Sequence, residues 1–283
     1  MTPSGKLLMV EARRRFAHLV AQPDASIDLA HAALLVAAEE QPGLEVEDYR
    51  AQLYELGLQA REFVARAEER SAVAAFNRFV FDELGFAGNH SNYYDPRNSL
   101  LSYVLDKRTG IPITLSVVYM EIGRRAGLHV EGVGMPGHFI VRAEARDGET
   151  ALVDAFNAQI VGAEDCQDRL DTIYNGQVPL AEEHLRPVST RDILARILRN
   201  LKAIYAQAGL YHRALSVIER ILLVAPGAAD ERRDRGALLA QLGRYSEAIV
   251  DVQAYLHAAP DAPDAARVAE QLKKMQTQLA MLN

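Results

Sequence analysis

This chain of 283 residues holds a single cysteine, Cys166. One thiol cannot close a disulfide within the chain, and so sparse a use of cysteine suits a reducing compartment, so a cytoplasmic location is expected. No Cys/His spacing of a metal site occurs, and neither a metal centre nor a cofactor is expected. Long hydrophobic runs are missing too. No stretch approaches the roughly 18 apolar residues that a membrane span needs, so no membrane partner is expected. The opening MTPSGKLLMVEARRRF lacks the apolar block and cleavage site of a secretory leader. Nor is there an excess of positive charge: Lys+Arg number 31 against 38 Asp+Glu, a formal net charge of −7. That balance argues against a general nucleic-acid binder, which gathers cations to neutralise phosphates. Arg191, Arg196, Arg199 and Lys202 lie close together, but on a helix such a group is expected to form a solvated face. Gly132, Gly134 and Gly137 do not make a dinucleotide fingerprint, because they fall within or between strands and no helix follows. They are expected to permit close approach beside the neighbouring strand.

What is present is ordinary globular composition, 49% hydrophobic and 24% charged, in a length that suggests about two domains. The first ninety residues repeat apolar positions at three- and four-residue intervals, which predicts four helices. The second, SIDLAHAALLVAAEE, has Ser26 as its expected cap, with Asp28 in the first turn, and is ended by Pro42 and Gly43. His31 on it reads as a satisfied histidine rather than a ligand. Residues 89–98 are polar, aromatic and turn-rich, hence a loop. A short helix follows over 99–105. Pro112 then opens an apolar helix that ends at Gly127. HVEGVGMPGHFIVRAEA and TALVDAFN read as two strands joined by an Asp147-Gly148 turn. This places His138 on the first strand and Asp154 on the second. GAEDCQDRLDTIY reads as a further helix, and 179–187 as a linker.

Beyond it the period changes. Gly209, Tyr211, Ala214 and Pro226 are matched thirty-four residues later by Gly243, Tyr245, Ala248 and Pro260. That spacing is the signature of tetratricopeptide repeats, each a pair of antiparallel helices. Two units and a last helix are few for a free solenoid, so packing on the preceding domain is expected.

DPRNSLLSYVLDKRTGIPITLSVVYMEIGRRAGL, GVGMPGHFIVR and VDAFN, followed by these repeats, resemble the bacterial SirB family, a transglutaminase-like core with tetratricopeptide repeats. The resemblance covers nearly the whole chain. It implies an α+β fold with a papain-like core and small antiparallel sheet, followed by all-α repeat helices, in a cytoplasmic bacterial protein. The expected domains are a helical region at 1–88, the core at 89–186 and the repeats at 187–283. Enzymes of this type set a cysteine in the first turn of the core helix, where partial positive charge lowers the thiol pKa and steadies an oxyanion. Fifteen residues before Gly127, where that cysteine would fall, stands Pro112. Thr114 and Ser116 are the nearby hydroxyls. Cys166 has Glu164, Asp165 and Asp168 as neighbours, which raise a thiol pKa, so it is expected to be incidental.

The candidate cleft is therefore His138, Asp154, Thr114 and Ser116. The His–Asp pair reads either as a base and its orienting carboxylate or as a buried polar link in the sheet. Asp95, Arg97, Asn98 and Ser99, with Asn157 of the VDAFN motif, either line the same cleft as ligand contacts or, for the loop residues, close a local turn around Pro96. Tyr93 and Tyr94 read as packing residues. Two functions remain open: a non-catalytic module that binds a protein or peptide, with partners engaged through the repeats, or an amide hydrolase or acyl transferase using Thr114 or Ser116.

Overall fold

The computed structural model describes residues 3–68 and 71–282. The chain divides into two compact units, Met1–Ile197 and Leu198–Asn283.

The first unit begins with helices α1 (Pro3–Val20), α2 (Leu29–Glu40), α3 (Val46–Arg66) and α4 (Ala72–Arg78), the last running into one wide turn of π-helix at Phe79–Glu83. The N-cap of α2 is Asp28, which accepts from the His31 amide, rather than Ser26. Ser26 instead ends a preceding 3-10 turn. Next come β1 (Ala87–Gly88), α5 (Leu101–Lys107), β2 (Thr109–Gly110) and α6 (Pro112–Ala126).

Helix α6 is the axis of this unit. Every residue from Pro112 to Gly123 is buried, as a helix apolar on all sides must be. Proline at its first position needs no N–H partner, and Gly127 at φ 97 turns the chain away in the left-handed region that glycine enters without penalty. Its closest neighbour is α3. A Cβ on Gly57 would lie 2.4 Å from the Cβ of Arg125, so only glycine allows that approach. Tyr119 is fully buried, with its hydroxyl donating to Asn77 Oδ1 at 2.7 Å and its ring meeting Phe76 edge-on.

Past α6 lie β3 (His129–Val133), β4 (Ile140–Glu144), β5 (Thr150–Asp154) and β6 (Gln159–Val161), one antiparallel sheet in that order. Sequence reading expected two strands here. The first is broken at Met135–Gly137, where Gly137 at φ 71 reverses the chain, so His138 sits in the turn before β4 and not on a strand. The second ends at Asp154, and a tight turn containing Ala158 at φ 55 returns the chain as β6. Helix α7 (Ala163–Tyr174) follows, then a 3-10 turn at Glu182–Leu185, then α8 (Thr190–Gln207), whose residues after Ile197 belong to the second unit.

The second unit continues with α9 (Tyr211–Val224), α10 (Ala229–Gln241), α11 (Tyr245–Ala258) and α12 (Ala265–Leu282). The thirty-four-residue period has a direct physical cause. Gly209 and Gly243 both adopt positive φ between paired helices, while Ala214 and Ala248 are fully buried small residues in the helices that follow. A Cβ on Gly236 would lie 2.6 Å from Val252, so α10 and α11 touch at backbone distance. Together the two units make an α+β architecture with a small sheet and a helical C-terminal array.

Candidate functional site

Asp154 ends β5 fully buried, and the following turn wraps around its carboxylate. Oδ1 accepts the amides of Phe156 and Asn157 at 3.0 and 3.1 Å. Oδ2 accepts Asn157 Nδ2 at 2.8 Å and the His138 ring Nε2 at 2.9 Å, and Arg169 of α7 lies 2.8 Å away. Burial pushes the carboxyl pKa up, but His138, Asn157 and Arg169 outweigh it and hold the group at about 2. Asp154 is thus an anion at any physiological pH. An ionised carboxylate only accepts, so Nε2 carries a proton, and in the neutral ring Nδ1 is the acceptor. Among the described residues Nδ1 has no hydrogen-bond partner.

His138 is held from behind as well. Its amide donates to Met135 O, and Arg196 of α8 donates to the carbonyls of Met135 and His138 at 3.2 and 2.8 Å. Gly137 is required here, since a Cβ would strike Ile173 at 2.9 Å. Phe156 is braced between Gly88, whose amide donates to its carbonyl, and the rings of His90 and Tyr93. Tyr93 is itself 40% exposed while its ring meets Phe156, and Tyr94, 70% exposed, stacks edgewise on it rather than packing inside.

The hydroxyls of the core helix lie apart from this pair. Thr114 Oγ1 accepts the Ile111 amide and donates to Asn98 O at 2.8 Å, so it caps α6 and ties the helix to the loop. Ser116 is fully buried and its hydroxyl has no partner. Neither is hydrogen-bonded to His138. Cys166 lies on α7 in a buried cluster with Val133, Met135, Ile140 and Leu170, again with no hydrogen bond to the imidazole. Burial, then the Asp165 charge, push its thiol up, which is the reverse of activation.

Of the loop candidates Asp95, Asn98 and Ser99 turn inward, while Arg97 is exposed. Asn98 is fully buried, donates to Asn92 O and Tyr93 O, and accepts from Asn89 Nδ2. Asp95 accepts from the Arg97 amide and pairs with its guanidinium at 2.6 Å. Ser99 is buried without a partner. Of the residues singled out from sequence, then, His138, Asp154 and Asn157 come together. Thr114 joins Asn98 instead, while Asp95 and Arg97 pair with each other.

Two members of the site went unread. Arg169 falls in a helix whose other charges face solvent, and nothing local ties it to Asp154. Arg196 belonged to the group expected to form a solvated face, and that expectation fails. Arg191 donates to Gln22 O, Arg196 to the His138 turn, and Arg199 and Lys202 both bind Glu231. A fourfold-cationic helix in an acidic chain was a usable signal that these charges have partners.

A family model of the transglutaminase-like superfamily matches residues 47–199, and a tetratricopeptide repeat model matches residues 201–273. The chain belongs to the transglutaminase-like superfamily. Among individual proteins it is similar to a UPF0162 protein of Xylella fastidiosa strain 9a5c, 39% identical over 223 residues that cover 75% of this chain and 77% of the relative. A UPF0162 protein of Pseudomonas aeruginosa is 30% identical over 212 residues, covering 74% and 76%. Human F-box only protein 21 is 40% identical over 83 residues, 29% of this chain and 13% of that protein. No solved structure matches. A transglutaminase-like domain carrying tetratricopeptide repeats is an interaction type of architecture, and no described helix is long and apolar enough to cross a membrane.

Proposed function

We infer that this protein is a cytoplasmic, SirB-type binding module in which a transglutaminase-like cleft without a nucleophile holds a peptide-like ligand and the repeats hold a protein partner. The observation that carries the reading is the separation of parts. An oriented, buried imidazole with a free Nδ1 is present, yet Thr114 is consumed by helix capping, Ser116 makes no hydrogen bond to the ring, and the one thiol is buried with a raised pKa. A hydroxyl or thiol reacts only when a base is within reach of its proton. The same acceptor nitrogen can instead receive an amide N–H of a bound chain. Rows of antiparallel helices suit partner helices or peptides.

The test is turnover of an activated ester and of a γ-glutamyl amide by the wild type and by His138→Ala. Equal background rates are expected. A rate at least tenfold above that of His138→Ala overturns the reading in favour of a hydrolase or acyl transferase, and Thr114→Val, Ser116→Ala and Cys166→Ala would then show which atom attacks.

A further inference from the structure

Where α3 outruns α6, the first unit leaves a cavity. The two helices cross tightly at Gly57 and Arg125, but α6 stops at Gly127 while α3 continues to Arg66. The last turns of α3 therefore lie beyond the end of α6, with α4 and its π-turn against another side through Phe63 and Phe79. A cavity of 410 Å³ opens there, closed on its far side by the turn after β4. That volume falls in the range of small-molecule sites, roughly 300–1,000 Å³.

Its walls are apolar, with Val64 and Ala65 from α3 and Leu128 and Ala145 opposite, but two arginines, Arg61 and Arg146, line it as well. Nearly every described arginine of this unit has a hydrogen bond, ion pair or ring contact. Arg61, Arg146 and Arg186 are the exceptions, and two of these three line one cavity. This occurs in a unit where carboxylates outnumber cations, so partners were not scarce. Arg146 stands over Gly127, its Nη2 3.1 Å from where a Cβ would be, beside the negative end of the α6 dipole. Arg61 and Arg146 are both exposed, so water and, for Arg146, the helix dipole let a cation rest there without a carboxylate. The one acid of the lining, Asp147, accepts the Glu149 amide to close its own turn and pairs with neither arginine.

We propose that this cavity binds a small aliphatic carboxylate, its chain against Val64, Ala65, Leu128 and Ala145 and its head group between Arg61 and Arg146. Two unpaired guanidinium groups favour a planar, bidentate oxyanion. The apolar wall behind them favours an anion with a hydrocarbon chain over a bare inorganic one. The site is separate from His138.

Calorimetric titration of the full chain with octanoate, and with uncharged octanamide, tests this. One octanoate per chain is expected, at least tenfold tighter than octanamide. The double variant Arg61→Gln/Arg146→Gln should weaken octanoate at least tenfold, and Ala126→Phe, which fills the cavity, should abolish binding, with circular dichroism verifying that both remain folded. His138→Ala should bind as the wild type does. No binding by the wild type, equal affinity for the acid and the amide, or wild-type affinity in the double arginine variant overturns the proposal.

Discussion

Three ion pairs in the repeats span nearly one sequence interval, Arg199–Glu231 and Lys202–Asp234 at 32 residues and Arg233–Asp264 at 31, although Arg235 and Asp251, also between helices, are 16 apart. Around His138 no such interval exists. Its partners lie 16 residues away at Asp154 and 58 away at Arg196, and the Arg196 bonds run to backbone carbonyls. Repetition sets several charges opposite partners about one unit further on, so one interval recurs in the array. The core is assembled from turns of unlike shape, where each polar atom needs its own partner. Its failure should accordingly be local and severe, while the repeats should yield by increments.

The most damaging change expected is Asp154→Ala. It strands the His138 N–H, the Arg169 charge and two backbone amides, and removing one member of a buried ionic group costs about 3 kcal/mol or more. Thermal denaturation should show the first unit melting well below the wild type while the repeats keep their own transition. If both units drop together, the comparison breaks. Next is Gly236→Val, which forces side chain into the contact with Val252 and the Ala248 carbonyl. Overpacking of this kind costs about 1–3 kcal/mol and should lower only the repeat transition.

Acid should act on the core at a similar or slightly smaller scale. The Asp154 carboxyl lies at about 2 against an ordinary 3.8. A depressed folded pKa contributes stability that is present above the unfolded value and lost as pH falls through the folded one. Between pH 4 and pH 2 the first unit should therefore lose roughly 2 kcal/mol, an increment absent from Asp154→Asn. A pH profile of denaturant midpoints checks both. The smallest effect belongs to Arg97→Ala, an exposed guanidinium beside Asp95, which should leave the denaturant midpoint close to that of the wild type.

The same contrast explains what could be read from sequence. The limits of α6 were legible because Pro112 and Gly127 are chemically suited to a first helical position and a left-handed stop. The repeats were legible because Gly209 and Gly243 do one job at a fixed interval. The His138 turn was not, since apolar residues on either side of Met135–Gly137 mimic one continuous strand. Thr114 reads as a nucleophile candidate by position. Only its place three residues past Ile111, where a hydroxyl can cap, hints at the role it has. Arg169 and Arg196 depend on contacts across the fold, which no local pattern encodes.

Ala158 carries a further consequence. An L-residue in that backbone region is strained by about 1–2 kcal/mol, and nothing in the side chain of alanine compensates. The bend is imposed by its neighbours, whose amides converge on one carboxylate like ribs on a hub. Glycine at this position should therefore be among the few exchanges that relax the corner without altering its path. By the same reasoning, any residue with a branched side chain would be accepted there only at the expense of the hub itself.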